Sequence, residues 1–150
     1  MHASGLRIDG IWSRSAGHAE KLASGMNCNW GSIDKPLPSD SSYYLIAVSD
    51  SAISAVADRF SGHPGIWIHT AGALDMEVLA RSFNSYGVLY PLQTFSIKRN
   101  IEIKQVPFLV EGSDPETLAS IRTLASLLTK RVLEMNSTHR LLVHLSLIHI

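Results

Sequence analysis

Only one cysteine, Cys28, occurs in the 150 residues. That excludes an internal disulfide and fits a reducing compartment. Neither sign of charge is in excess: 13 Lys+Arg stand against 13 Asp+Glu, with a pI near 7.1. Such a balance leaves no electrostatic footprint for nucleic acid and no polybasic patch for anionic lipid. The opening Met1-His2-Ala3-Ser4-Gly5 has neither a basic start nor an apolar core, so no signal peptide is expected. The apolar run from Leu141 to Ile150 is cut by His144, Ser146 and His149. It falls short of the roughly 18 residues that a bilayer requires. A soluble, cytoplasmic protein with one sizeable core is the expectation.

Several chemical signatures are missing as well. No G-x-S-x-G elbow argues for a hydrolase, and no G-x-x-x-x-G-K-[ST] loop for an NTPase. The G-x-G-x-x-G spacing that brings backbone N–H groups to a pyrophosphate is also absent. His139, His144 and His149 lie five apart, which spreads them around a helix, so no metal site is expected. Cys28 has no histidine pattern beside it and reads as a lone buried thiol.

What is present is a regular alternation of strand and helix patterns. Tyr43 to Val48 is apolar without a break, the pattern of a parallel strand covered on both faces. Ser49-Asp50-Ser51 follows, with Asp50 as N-cap of a helix carrying Ile53, Val56 and Phe60. A buried strand, a polar turn and a helix make half of a βαβ unit, and ligands sit at such turns. Upstream, Leu6 to Ser13 reads as a strand. Ala19, Leu22, Ala23 and Met26 form one narrow helical face stopped near Gly25, and a short strand or loop surrounds Trp30. Downstream, Gly65 to Thr70 is a buried strand, Val78, Leu79 and Phe83 mark a helix, and Tyr86 to Tyr90 is a strand stopped by Pro91. Gln105 to Glu111 reads as an edge strand because Pro107 cannot donate to a ladder. Ser113-Asp114-Pro115-Glu116 starts a helix whose stripe runs through Leu118, Ile121, Leu124, Ala125, Leu128 and Val132. Asn136-Ser137-Thr138 caps a last helix. This order predicts an α/β fold: an open parallel sheet with flanking helices and right-handed crossovers.

Five stretches carry a family resemblance: Trp12-Ser13-Arg14, Ala47 to Asp50, His69-Thr70-Ala71-Gly72, Tyr86 to Phe95, and Pro107 to Gly112. In this order they resemble the bacterial Rossmann-like proteins with a C-terminal helical domain of unknown function. That family is similar in fold to pyrroline-5-carboxylate reductase and other β-hydroxyacid-type NADP oxidoreductases. The resemblance spans about Leu6 to His144, and Tyr90-Pro91-Leu92-Gln93-Thr94-Phe95 is its most specific piece. It implies an incomplete Rossmann-like dinucleotide-binding domain over 1–112 and the beginning of a helical domain over 113–150. It also implies a first strand with a glycine-rich loop ahead of Leu6 and a longer helical domain, so the chain reads as a truncated fragment. Leu147 to Ile150 departs from the family's usual continuation.

The candidate site residues follow the strand ends. Ser13, Arg14 and Ser15 stand where an acidic residue would hold a ribose 2′-hydroxyl. A guanidinium between two hydroxyls suits a 2′-phosphate instead, so the resemblance implies NADP; the alternative is a solvated turn arginine. Ser49 and Asp50 would lie at the nicotinamide ribose with Val48 packed under the ring, or Asp50 serves only as a helix cap. His69 is the candidate catalytic general acid, or a histidine satisfied within the core. Thr70, Gly72, Gln93 and Thr94 are candidate substrate contacts, although Pro91-Leu92-Gln93 equally shapes a turn. The function implied is NADP-dependent hydride transfer to a small substrate, with a homodimer through the C-terminal helices. A non-catalytic nucleotide-binding or interaction module, or an inert fragment, is the alternative.

Overall fold

The structure, a computed structural model, describes residues 5–93 and 102–148. Its chain contacts divide it into two compact units, Met1–Ser41 and Ser42–Ile150.

In the first unit, strand β1 (Gly10–Ser13) leads into helix α1 (Ala16–Ser24), which returns to strand β2 (Asn29–Ser32). The two strands run parallel, with Gly10 opposite Asn29 and Ser13 opposite Ser32. The Trp12 indole explains one glycine here. A Cβ on Gly31 would stand 3.0 Å from Trp12 Nε1, so only a bare backbone leaves the ring its place. Helix α1 buries Ala19 and Ala23 against this pair, and Met26 follows beyond its end. Leu22, expected on the same face, is 56% exposed. The face is narrower than its spacing suggests, because two alanines already fill the space over two short strands. Cys28 is half-exposed and not the buried thiol expected.

The second unit is built on a five-stranded sheet in the order β3-β4-β5-β6-β7. Its strands are β3 (Tyr43–Ile46), β4 (Ile66–His69), β5 (Ser85–Pro91), β6 (Phe108–Gly112) and β7 (Val132–Glu134). The pairs β3–β4 and β4–β5 are parallel, as the alternation predicts, and β6–β7 is parallel too, although the sequence reading marked no strand at β7. The β5–β6 pair is antiparallel, so the sheet is mixed at that one junction. β6 is an interior strand and not an edge. Pro107 lies just before it, and the Pro107 carbonyl accepts from Leu92 N at 2.8 Å, so the missing N–H breaks no ladder. The edges of this sheet are β7 and β3, and the apolar run of β3 had suggested cover on both faces. Leu45 is 37% and Val48 40% exposed. β7 lies past residue 113, so the sheet continues into the stretch where the resemblance places the start of a helical domain.

Register sorts the side chains into two faces. Ile46, His69, Val88 and Glu111 stand in one row, since they are partners across β3, β4, β5 and β6. Side chains alternate along each strand, so Tyr44, Trp67 and Tyr90 share that face. The face is covered by helix α2 (Ile53–Arg59), by a short 3-10 turn (Met76–Leu79) and by helix α4 (Ser137–Ile148). Val78 and Leu79 thus belong to a short 3-10 turn, with Phe83 beyond its end, and not to the longer helix expected. Tyr44, Trp67 and Phe83 stack in parallel, with centroids 4.6 Å and 4.2 Å apart, and anchor this side of the core. The opposite face packs on helix α3 (Pro115–Ser126), and Gly87 meets Ile121 there. Asp114 caps α3 by accepting from Thr117 N at 2.9 Å, with Pro115 in the first turn, as the sequence predicts. The α3 stripe ends at Ser126, so Val132 belongs to β7.

Candidate functional site at the carboxyl ends of the parallel strands

In the first unit, Ser13 closes β1, and its Oγ accepts from Ser15 N at 3.3 Å. Arg14 follows at the turn, exposed, with no ion-pair partner among the described residues. Ser15 occupies the cap position of α1 but makes no side-chain cap bond. The strand end therefore presents one free guanidinium and a hydroxyl on a fixed turn. Such a group is suited to a phosphate by charge and by its forked donors.

In the second unit, the carboxyl ends of β3, β4 and β5 gather the remaining candidates. Val48, Ser49 and Asp50 are all exposed beyond β3. Asp50 does not cap α2 as expected: it opens a 3-10 turn (Asp50–Ala52), and no side chain caps either that turn or α2. As the first residue of that turn, Asp50 is exposed and its carboxylate makes no cap bond. Its field reaches both His69 and Tyr90.

His69 ends β4 and is wholly buried. Its Nδ1 accepts from Ala71 N at 3.2 Å, which places the hydrogen on Nε2. Nε2 itself has no hydrogen-bond partner among the described residues. Burial first, and then the Arg140 charge, push His69 down to about 4, while the Asp75 carbonyl, Asp50 and Glu111 act in the other direction. The imidazole is therefore neutral at physiological pH. The proton-donating role expected of His69 asks for a cation that this environment disfavours. It is instead a neutral donor enclosed in the core.

Gly72 is buried one turn beyond His69, and the rings of Tyr90 and His144 occupy the space over it. A Cβ there would come within 2.7 Å of Tyr90 Cζ and 2.8 Å of His144 Cγ. The close approach expected of Gly72 toward a substrate is thus an approach toward these two side chains. Thr70 is half-buried beside it, and Gln93 is half-buried with its N–H on the Pro91 carbonyl at 2.9 Å. Thr94 lies outside the described residues.

Two groups that the sequence reading did not single out complete the cluster. Tyr90 Oη and His144 Nδ1 are 2.9 Å apart, with their rings edge to face. Arg140 is fully buried in α4; its Nη1 donates to Glu111 Oε2 at 2.5 Å, and its Nη2 donates to the Leu74 carbonyl at 2.5 Å and to Ser137 Oγ at 3.0 Å. Glu111 also accepts from Ser137 N and Oγ at 2.9 Å and 2.7 Å. The signal for both was the phase of α4. Arg140, Val143, His144 and Leu147 recur at i, i+3, i+4 and i+7 and form the less exposed stripe, while Leu141, Leu142 and Leu145 point outward. The histidine spacing alone hid this.

Solved structures match the chain over nearly its whole length. The proposed NADP oxidoreductase BF3122 from Bacteroides fragilis superposes with a TM-score of 0.91 at 30% identity, covering 99% of this chain and 58% of that one. The fold is Rossmann-like. TM1727 from Thermotoga maritima shares it with a TM-score of 0.80 at 21% identity, over 99% of this chain and 57% of its own. The prephenate dehydrogenase from A. aeolicus, in complex with hydroxyphenyl propionate and NAD+, gives 0.69 at 11% identity, over 93% and 56%. The chain thus spans less than two thirds of each of these proteins. No protein-family model and no curated protein matches it.

In a Rossmann-like sheet, ligands bind outside the carboxyl ends of the parallel strands. Arg14 marks such an end in the first unit. Asp50, His69 and Tyr90 mark three in the second, all on the parallel side of the β5–β6 junction. Among the described residues there is no group of three metal-ligating side chains, and no helix is long and apolar enough to cross a membrane.

Proposed function

We propose that the chain takes part in NADP-dependent oxidoreduction, within a dinucleotide-binding fold of the kind seen in pyrroline-5-carboxylate reductase and related enzymes. The superposition on a proposed NADP oxidoreductase, at a TM-score of 0.91 and 30% identity, is the observation that carries this reading. The residues present fit the coenzyme in part. Arg14, exposed and without an ion-pair partner among the described residues, suits a 2′-phosphate together with the neighbouring Ser13 and Ser15. Val48, Ser49 and Asp50 offer an apolar tip and polar groups for a nicotinamide ribose. The pyrophosphate finds no glycine-rich cradle in these 150 residues. When bound, the coenzyme supplies or accepts hydride, while the chain binds, orients and handles the accompanying proton.

A second copy at the C-terminal helices belongs to the same proposal. The outward leucines of α4, among them Leu142 at 59% exposure, support it, and the sedimentation coefficient of a Leu142→Lys variant against the unaltered chain checks it.

Titration of reduced-nicotinamide fluorescence tests the coenzyme reading. NADPH should bind more tightly than NADH, and Arg14→Glu should erase the difference. Equal affinity for the two coenzymes in the unaltered chain would remove the 2′-phosphate assignment.

A further inference from the structure

We infer that Tyr90 and His144 are a proton-delivery pair for the proposed reduction, with Tyr90 Oη as donor to the substrate and His144 as the group that resupplies it. The inference rests on the coenzyme reading above and adds to it two residues and a substrate class, a carbonyl or imine.

Three observations carry it. Tyr90 Oη lies 2.9 Å from His144 Nδ1, within reach for direct proton transfer. The pair sits against the bare backbone of Gly72, at the carboxyl end of β4, where no side chain intervenes. His144 is only half-buried, so the pair runs from an enclosed phenol toward the surface. Burial, and then the nearby Asp50, raise Tyr90 above the ordinary phenol range, so it holds its hydrogen at neutral pH.

The charged and titratable groups around the pair come from every neighbouring element: Asp50 after β3, His69 on β4, Glu111 on β6 and Arg140 on α4. Glu111 and Arg140 neutralise each other, and His69 is neutral. Asp50 is left as the outward charge beside the phenol.

The proton balance is simple. When bound, the reduced nicotinamide would supply hydride to the substrate carbon, and the opening C=O or C=N π bond would leave its oxygen or nitrogen needing one proton. With Nδ1 protonated, His144 donates to Tyr90 Oη and leaves the phenolic hydrogen free for the substrate. Tyr90 gives that hydrogen to the heteroatom, His144 Nδ1 replaces it, and solvent reprotonates His144. A purely structural role is the rival, in which the bond only fastens α4 to the sheet.

NMR spectra of the His144 imidazole in the full chain at one fixed pH, saturated with NADP+ or with NADPH, separate the two and need no substrate. A pair lying beside the nicotinamide feels the positive ring of NADP+. The His144 ring chemical shifts should then differ between the two complexes, while those of exposed His139 stay the same as the internal control. Identical His144 shifts in the two complexes would overturn the inference and leave coenzyme binding standing. A chain that binds neither coenzyme would overturn the reading beneath it. Turnover gives a second arm with small 2-oxo acids and cyclic imines as probes. Tyr90→Phe should lower kcat about 100-fold or more with coenzyme Kd unchanged, and an unchanged kcat would overturn the donor role.

Discussion

Arg140 Nη1 donates to Glu111 Oε2 at 2.5 Å, joining the first turn of α4 to the middle of the sheet through a charge pair. The arginine is wholly buried and the glutamate side chain is 13% exposed. Helices usually face their apolar side inward. α4 holds a cation there and leaves three leucines outside. The pair, with Ser137, does the fastening that apolar contact usually does.

Removing one partner of this pair should be costly. Arg140→Met leaves the Glu111 carboxylate largely buried without its cation, and a loss of about 3–5 kcal/mol is expected. The double variant Glu111→Leu/Arg140→Met should recover part of that loss, because no charge is left uncompensated. Urea denaturation of the three proteins measures both. A double variant less stable than Arg140→Met alone would contradict this account.

His69 should make stability depend on pH below neutrality. Its folded pKa of about 4 lies under the ordinary 6.5, so the folded state binds the proton less well than the unfolded chain. Stability from the neutral form is then fully present above about pH 6.5 and declines as pH falls toward 4, by up to about 3 kcal/mol. Thermal melts across that window should show His69→Gln with a flatter dependence than the unaltered chain. Parallel curves would place the acid sensitivity elsewhere.

Two glycines should respond in opposite directions. At Gly87, a Cβ would stand 2.5 Å from Ile121 Cδ1 and press on the Glu111 backbone, which a paired strand cannot move aside. Gly87→Ala should therefore lower the melting temperature by several degrees, a loss of roughly 1–3 kcal/mol. At Gly17 in α1, no atom lies within 4 Å of the added Cβ. Gly17→Ala should stabilise by up to about 0.5 kcal/mol, because alanine loses less backbone freedom in a helix. Calorimetry of both variants checks the contrast.

Gly72→Ala should disturb the Tyr90–His144 pair without touching either residue. The added methyl falls within 2.7 Å of the tyrosine ring, so one of the two rings must shift. Altered chemical shifts of the His144 imidazole, with far-ultraviolet circular dichroism unchanged, are the expected result.

Local patterns were enough for most of the elements. The Asp114-Pro115 helix start, the Asn136 cap that accepts from His139 N at 2.9 Å, and the buried Trp67-Ile68-His69 strand all follow from residue chemistry at fixed spacing. Parallel pairing of β3, β4 and β5 follows from strand–helix alternation in the same way. The antiparallel turn of β6 did not show, since Gln105 to Glu111 carries the same apolar signal in either direction. The edge position of β3 was hidden for a related reason: an apolar run says that a strand wants cover, not whether this sheet supplies it.

Of the site, the sequence by itself determined where the polar strand ends fall: Ser13 to Ser15, Val48 to Asp50, and His69 to Gly72. Strand termini are set by short-range pattern, which a single chain displays in full. Only the tertiary structure decided what each group became. It enclosed His69 as a neutral imidazole, placed His144 against Tyr90, and paired Glu111 with Arg140 across 29 residues of chain. Such partners are chosen by packing between elements, and no spacing along the chain encodes that distance.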